Sequence, residues 1–170
     1  MIALAVTPDN KFIVSGSADH SMKLFDLQTK EQVHHFQDAH DSKFFERNQG
    51  LISCCLDWVV SLTITHDSRL IISGCYSSMK IHDLQTKQQV HFFEDVHSGN
   101  FLRFVLISHN VGAVNSVLVT SDNKLLISGC DDQSIKIHDL ETKQQVHHFK
   151  DVHQGKINKI SRSLRMFRWA

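Results

Sequence analysis

Thirteen histidines are spread through 170 residues, and their clustering beside carboxylates points first to metal chemistry. The pattern H-H-x-x-D-x-H stands at His34, His35, Asp38 and His40, and again at His147, His148, Asp151 and His153. Zinc accepts both imidazole and carboxylate ligands. A copy between them reads His91, Phe92, Asp95 and His97 and lacks one of those ligands. Successive strand residues point to opposite faces, so a strand through His34 and His35 holds their rings apart and one ion cannot easily take both. The spacing fits an outer strand and its following loop better than a metal centre, and neither a metal nor a cofactor is expected. These imidazoles gain charge below about pH 6.5, which ties their surroundings to mild acid.

Other catalytic chemistry finds no foothold. The sequence contains no G-x-G-x-x-G, Walker loop, H-E-x-x-H or G-x-S-x-G, the spacings that cradle phosphates, hold zinc or expose a nucleophile. Its Ser, His and Asp residues recur from unit to unit, whereas a catalytic group is normally needed once. No catalytic residue is assigned, and the chain reads as a non-enzyme. Cys75 and Cys130 occupy one repeated position and Cys54 and Cys55 are adjacent, which builds no disulfide framework and fits a reduced compartment.

The elements that carry these residues come from one phrase written three times, over 9–40, 67–97 and 122–153. Self-similarity of this kind marks a repeat architecture, in which each unit leaves a face that its neighbour must cover. Phe12, Ile13 and Val14, with Leu70, Ile71 and Ile72, and Leu125, Leu126 and Ile127, form unbroken apolar runs, as in a strand covered on both faces. A polar turn over 17–21 follows. Then comes an alternating strand, Met22-Lys23-Leu24-Phe25, whose copies are Met79-Lys80-Ile81-His82 and Ile135-Lys136-Ile137-His138. Period two places Met22 and Leu24 on one face and Lys23 and Phe25 on the other. A second turn at 26–30 is favoured by an Asp that can bond the backbone two residues on. Further strands are expected at 32–36, 89–93 and 145–149, and before each unit at 2–6, 59–64 and 114–119. Four short antiparallel strands per repeat make a propeller blade.

Composition bounds the function without selecting one. Formal net charge is zero and hydrophobic residues make up 41%, with no sign of an acidic tail, disorder or a nucleic-acid binder. The apolar start MIALAV is short and lacks a positive leader, unlike a secretory signal. The stretch 51–64 contains Asp57 and falls short of the roughly 20 residues that span a bilayer. An intracellular location, cytoplasmic or nuclear, is the expectation. The basic residues at 156–168, with Arg162, Arg165 and Trp169, could meet RNA or acidic lipid, but such a cluster more often belongs to a solvated terminus.

With these residues in view, the chain resembles the WD-repeat family of β-propellers. The resemblance rests on Val114-Asn115-Ser116-Val117, on Ser121, Asp122 and Asn123, and on Leu126-Ile127-Ser128-Gly129-Cys130. Asp132, Ile135-Lys136-Ile137-His138-Asp139 and Leu140-Glu141-Thr142 complete it. It implies an all-β fold, a partial and open propeller of about three four-stranded blades, incomplete at both ends. One domain over 1–170 is read, with units 2–40, 57–97 and 112–153, irregular inserts at 41–56 and 98–111, and a truncated fourth unit at 154–170. The inserts lengthen the His-to-turn separation to about twice the family's dozen residues and carry Leu51, Ile52, Phe101 and Phe104, with Trp58 just after the first. They read either as partner-binding loops or as irregular extensions.

The family commonly ties each blade with hydrogen bonds among a Trp, a Ser or Thr, a His and an Asp. Phe25 replaces the Trp in the first unit, and His82 and His138 replace it in the others. The second unit lacks the Asp found as Asp19 and Asp132. Only the third unit keeps a near-complete set, Ser128, Asp132 and His138 with His97 or His109, so the first two blades are expected to be looser. The resemblance implies a protein-interaction scaffold that docks peptides or proteins on a rim near His20, Tyr76 and Asp131. Further propeller blades, from self-association or another chain, are also possible partners, while a membrane is not expected and nucleic acid is disfavoured. A nonfunctional or truncated fragment of a longer propeller is one alternative, and a subunit of an RNA-containing or ubiquitin-ligase assembly is another.

Overall fold

Short runs of β-branched and aromatic residues bounded by Asp, Asn, Ser and Gly satisfy their backbone most simply by pairing with the run that follows. The computed structural model describes residues 2–37, 39, 58–75, 78–93, 113–150 and 152. Twelve strands lie within them. The first sheet holds β1 (Ala3–Val6), β2 (Phe12–Gly16), β3 (Met22–Asp26) and β4 (Gln32–Phe36). The second holds β5 (Ser61–Ile64), β6 (Leu70–Gly74), β7 (Met79–Asp83) and β8 (Gln89–Phe93). The third holds β9 (Val114–Val119), β10 (Leu125–Cys130), β11 (Ile135–Asp139) and β12 (Gln145–Phe149). Each is an antiparallel meander in sequence order. The expected all-β architecture of three four-stranded blades is therefore the observed one. The inserts at 41–56 and 98–111 and the segment 154–170 lie outside the described residues.

Register is conserved from blade to blade. Ser15 pairs with Lys23, Ser73 with Lys80 and Ser128 with Lys136. The turns are closed by side chains, not by glycine. Asp26 Oδ1 accepts the amides of Gln28 and Thr29 at 2.7 and 2.9 Å. Asp83 and Asp139 do the same for Gln85 and Thr86, and for Glu141 and Thr142. Among the described residues eight non-glycine positions take a left-handed backbone: Asn10, Ser68 and Asn123 in the first turn, His20 and Gln133 in the second, and Lys30, Lys87 and Lys143 in the third. L-residues pay for that conformation, and the Asp-to-amide bonds around these turns offset part of the cost.

The hydrophobic cores lie between the sheets. Val14, Met22, Leu24 and Phe36 from the trailing face of the first blade meet Val59, Ile64, Ile71 and Leu84 from the leading face of the second. Ile72, Met79, Ile81 and Phe93 then meet Val117, Val119, Leu126 and Leu140 of the third. The apolar strands β2, β6 and β10 were expected to be covered on both faces, and only β6 is so covered fully. Ile13 and Ile127 are half-buried where their counterpart faces in the second blade are closed, because each lies on a face with no neighbouring sheet among the described residues.

Single backbone bonds stitch neighbouring blades at one end. Val59 donates to the Ser17 carbonyl at 3.1 Å and Val114 to that of Cys75 at 2.9 Å. These bonds draw the next blade so close that only glycine fits on the strand beneath. A Cβ on Gly16 would stand 2.4 Å from Val59 Cγ1, and one on Gly74 would stand 2.4 Å from Ser61 Oγ and 3.1 Å from the Val114 carbonyl oxygen. Overpacking of this kind costs about 1–3 kcal/mol. Gly16→Ala and Gly74→Ala are each expected to lower the urea midpoint accordingly. An unchanged midpoint would show that the blades are not in this close contact.

Candidate functional site

Of the residues that the sequence placed at a partner-binding rim, His20 stands in the β2–β3 turn and Asp131 in the β10–β11 turn. Tyr76 lies outside the described residues, as do His97 and His109, so the fourth member of the expected hydrogen-bonded set is not placed. His20 sits half-buried in the first of these turns with a left-handed φ of 67°, and its Nδ1 is buried without a hydrogen-bond partner. Asp131 is half-buried in the third turn. Its carboxylate accepts from the Asn115 side-chain amide, and its own amide donates to the Ala113 carbonyl at 3.2 Å. Asn115 was missed by sequence reasoning, which used it only as part of a family strand.

Of the expected blade network, Ser128 and His138 are buried on the same leading face, on paired strands β10 and β11. Asp132 closes its own turn, accepting from the Ser134 amide at 2.9 Å and the Ser134 hydroxyl at 2.6 Å. Asp19 makes the same pair of bonds with Ser21. In the second blade, which lacks this Asp, Cys75 Sγ and Ser78 Oγ are 2.8 Å apart. The hydroxyl of Thr7, Thr65 or Thr120 accepts the amide that opens the next strand at 2.9–3.0 Å. That Thr was legible as a residue shared two places before Asp9, Asp67 and Asp122, and sequence reasoning passed over it.

The described histidines of the clusters pack on aromatic rings, His34 on Phe36, His91 on Phe93 and His147 on Phe149. His34 and His35 face opposite sides of β4, opposite Leu24 and Lys23 respectively. Their partner residues Asp38 and His40 lie outside the described residues, as do Asp95, Asp151 and His153. Among the described residues no group of three or more His, Cys, Asp or Glu could hold a metal ion. Cys130 is buried, and desolvation pushes its thiol well above the usual range, so it is held protonated and is a poor nucleophile. A crevice of about 400 Å³ between the first two blades is lined by His34, Phe36, His82 and Lys87. Its described lining carries no carboxylate and no thiol or hydroxyl nucleophile.

At the foot of that crevice is the contact that sequence reasoning missed most completely. The Phe36 ring meets His82 of the next blade edge-on, with centroids 5.2 Å apart. Phe93 meets His138 of the third blade with a tilted ring, centroids 4.9 Å apart. Thus the histidine standing where the family carries Trp serves as a landing site for the preceding blade's outermost aromatic. His82 is buried with its Nδ1 unpartnered. Burial first, then Lys80 and His34, push its pKa down to about 4.

Residues 2–26 and 100–139 match the family model described as "WD domain, G-beta repeat". The chain is similar to the WD repeat domain-containing protein 83 homolog of Dictyostelium discoideum, 25% identical over 135 residues, which is 79% of this chain and 33% of that protein. Among solved structures it is similar to the RRP9 WD40 repeats and to U3-55K. Each is 20% identical with a TM-score of 0.69, covers 93% of this chain, and is itself covered to 40% and 41%. The chain thus spans between a third and about two-fifths of the length of these relatives.

The low pKa of His82 fixes a direction for acid sensitivity. The unfolded chain takes up a proton near pH 6.5 that the folded chain refuses until about pH 4, so stability is present above the upper value and is lost as pH falls toward the lower. The full shift corresponds to about 3 kcal/mol. His34 and His91, lowered chiefly by burial, act in the same sense, whereas the depressed turn carboxylates such as Asp19 and Asp83 lose their contribution only at lower pH. Urea midpoints should therefore fall between pH 6.5 and 4 and fall less in His82→Phe. Equal slopes in the two proteins would remove His82 as the cause.

Proposed function

This chain belongs to the WD40-repeat β-propeller family, and on that footing we propose that it is a non-catalytic protein-interaction scaffold. Its partner would be a protein or peptide segment docked on the end where the β2–β3 and β10–β11 turns meet the inner-strand entrances. The observation that carries the reading is the fixed presentation of side chains there. Asp19, Asp131 and Asp132 are each held by a neighbouring side chain, Ser21, Asn115 and Ser134, so their carboxylates are oriented before a partner arrives. Preorganised polar groups lose little freedom on binding and give specificity at low cost. The recurring use of Asp, Ser and Thr side chains to close turns in the described residues supports the non-catalytic reading.

Among the described residues no helix is long and apolar enough to cross a membrane, and we infer an intracellular setting from the cysteine pattern. A protein partner is favoured over RNA by the carboxylates of Asp19, Asp131 and Asp132 at this end, where Lys23 and Lys136 are each within reach of a carboxylate, since phosphate backbones are held by Lys and Arg.

The test is capture from native extract by the full chain and by a His20→Ala/Asp131→Lys variant, with urea midpoints measured for both. A stoichiometric protein partner retained by the first and lost by the second, at equal stability, supports the reading. Retention by both proteins, recovery of no partner, or recovery of RNA released by salt overturns it.

A further inference from the structure

The two outward faces of this array are the two halves of the interfaces already present inside it. On the leading face of the first blade, Leu4 and Val6 are 56% and 47% exposed. Their counterparts are Leu62 and Ile64 in the second blade and Val117 and Val119 in the third, which pack in the cores. Phe25 stands there where His82 and His138 receive an aromatic ring. On the trailing face of the third blade, Phe149 is 46% exposed, against 6% for Phe36 and 7% for Phe93. Ile127, Ile135 and Ile137 beside it are half-buried, whereas Ile72, Met79 and Ile81 at the same positions are fully buried.

The polar fringe repeats the pattern. Lys87 lies 5.6 Å from the Phe12 ring of the preceding blade, and burial lowers the pKa of both Lys87 and Lys143. Lys30, at the same position in the first blade, is exposed. The apolar and aromatic halves of a third inter-blade interface are thus present among the described residues, one at each end of the row, in the register that the two internal interfaces use.

We infer that the occupant of each free face is a second copy of this chain, joined head to tail, with Phe149 of one copy on Phe25 of the other. Head-to-tail contacts form rings when the rotation closes. Two copies of the three described blades give six, inside the range of about 4 to 8 at which propellers close. The inference rests on the blade faces and not on the rim, so the rim variant above should associate like the wild type.

The mass of the full chain, measured by sedimentation over a range of concentrations, tests this directly. Wild type should reach twice the monomer mass. Phe25→Glu and Phe149→Glu should each weaken association by about 100-fold or more, the scale of losing a central aromatic anchor. Mixing these two variants should restore a dimer, because one intact leading face then meets one intact trailing face. Circular dichroism checks folding, and Leu4→Lys and Phe149→Ser serve if a glutamate variant unfolds. A wild type that stays monomeric overturns the inference and leaves the faces to blades from a different chain. A dimer lost in only one of the two variants would show a like-to-like interface, and growth beyond two copies would show an open filament. Either result also overturns it.

Discussion

Apolar contact between the face of one sheet and the back of the next is what every other feature of this protein serves. A lone four-stranded meander with strands of four to six residues has little to bury within itself, and its alternating side chains leave grease on both sides. The second sheet has both sides covered, and all five residues of β7 are buried, Lys80 and Asp83 included. Among the described residues its neighbours are each covered on one side. Position in the row, as well as hydrogen bonding within a blade, therefore sets how tightly each sheet is held.

That contact dictates the small details. It demands glycine at 16 and 74, where the following blade's entrance presses on the strand. It turns the inherited aromatic position into a histidine that receives a phenylalanine ring, at the expense of a buried ring nitrogen in His82. It also requires the turns to be short, so that consecutive strands stay in step. The chain has only seven glycines, and it makes those turns with left-handed Asn, Ser, His, Gln and Lys, buttressed by Asp and Thr side chains.

Much of this was legible in the residues. Alternation fixed the faces of Met22, Leu24, Lys23 and Phe25, repetition fixed the number of sheets, and the Asp-Leu-Gln-Thr-Lys run announced its turn. What stayed hidden depended on two repeats at once. Phe36 reads as an ordinary strand residue until a neighbouring sheet puts His82 beneath it, and Gly16 reads as a hairpin signal until Val59 arrives above. Asn115 likewise gains its meaning only from Asp131 in a turn 16 residues on. Asp132 was read as part of a network, and it is the turn it closes with Ser134, two residues on, that the spacing alone did not announce.

Shared register across the blades has an evolutionary reading. A unit copied in the gene arrives with a front that fits the unit before it and a back that fits the unit after it, so the array can lengthen or shorten by whole modules without redesign of its interior. The near-identity of the second and third phrases, QQVH with its following Phe and the ISGC strand, is the mark such an event leaves, and it lets one module drift toward new recognition while its twin keeps the stack intact.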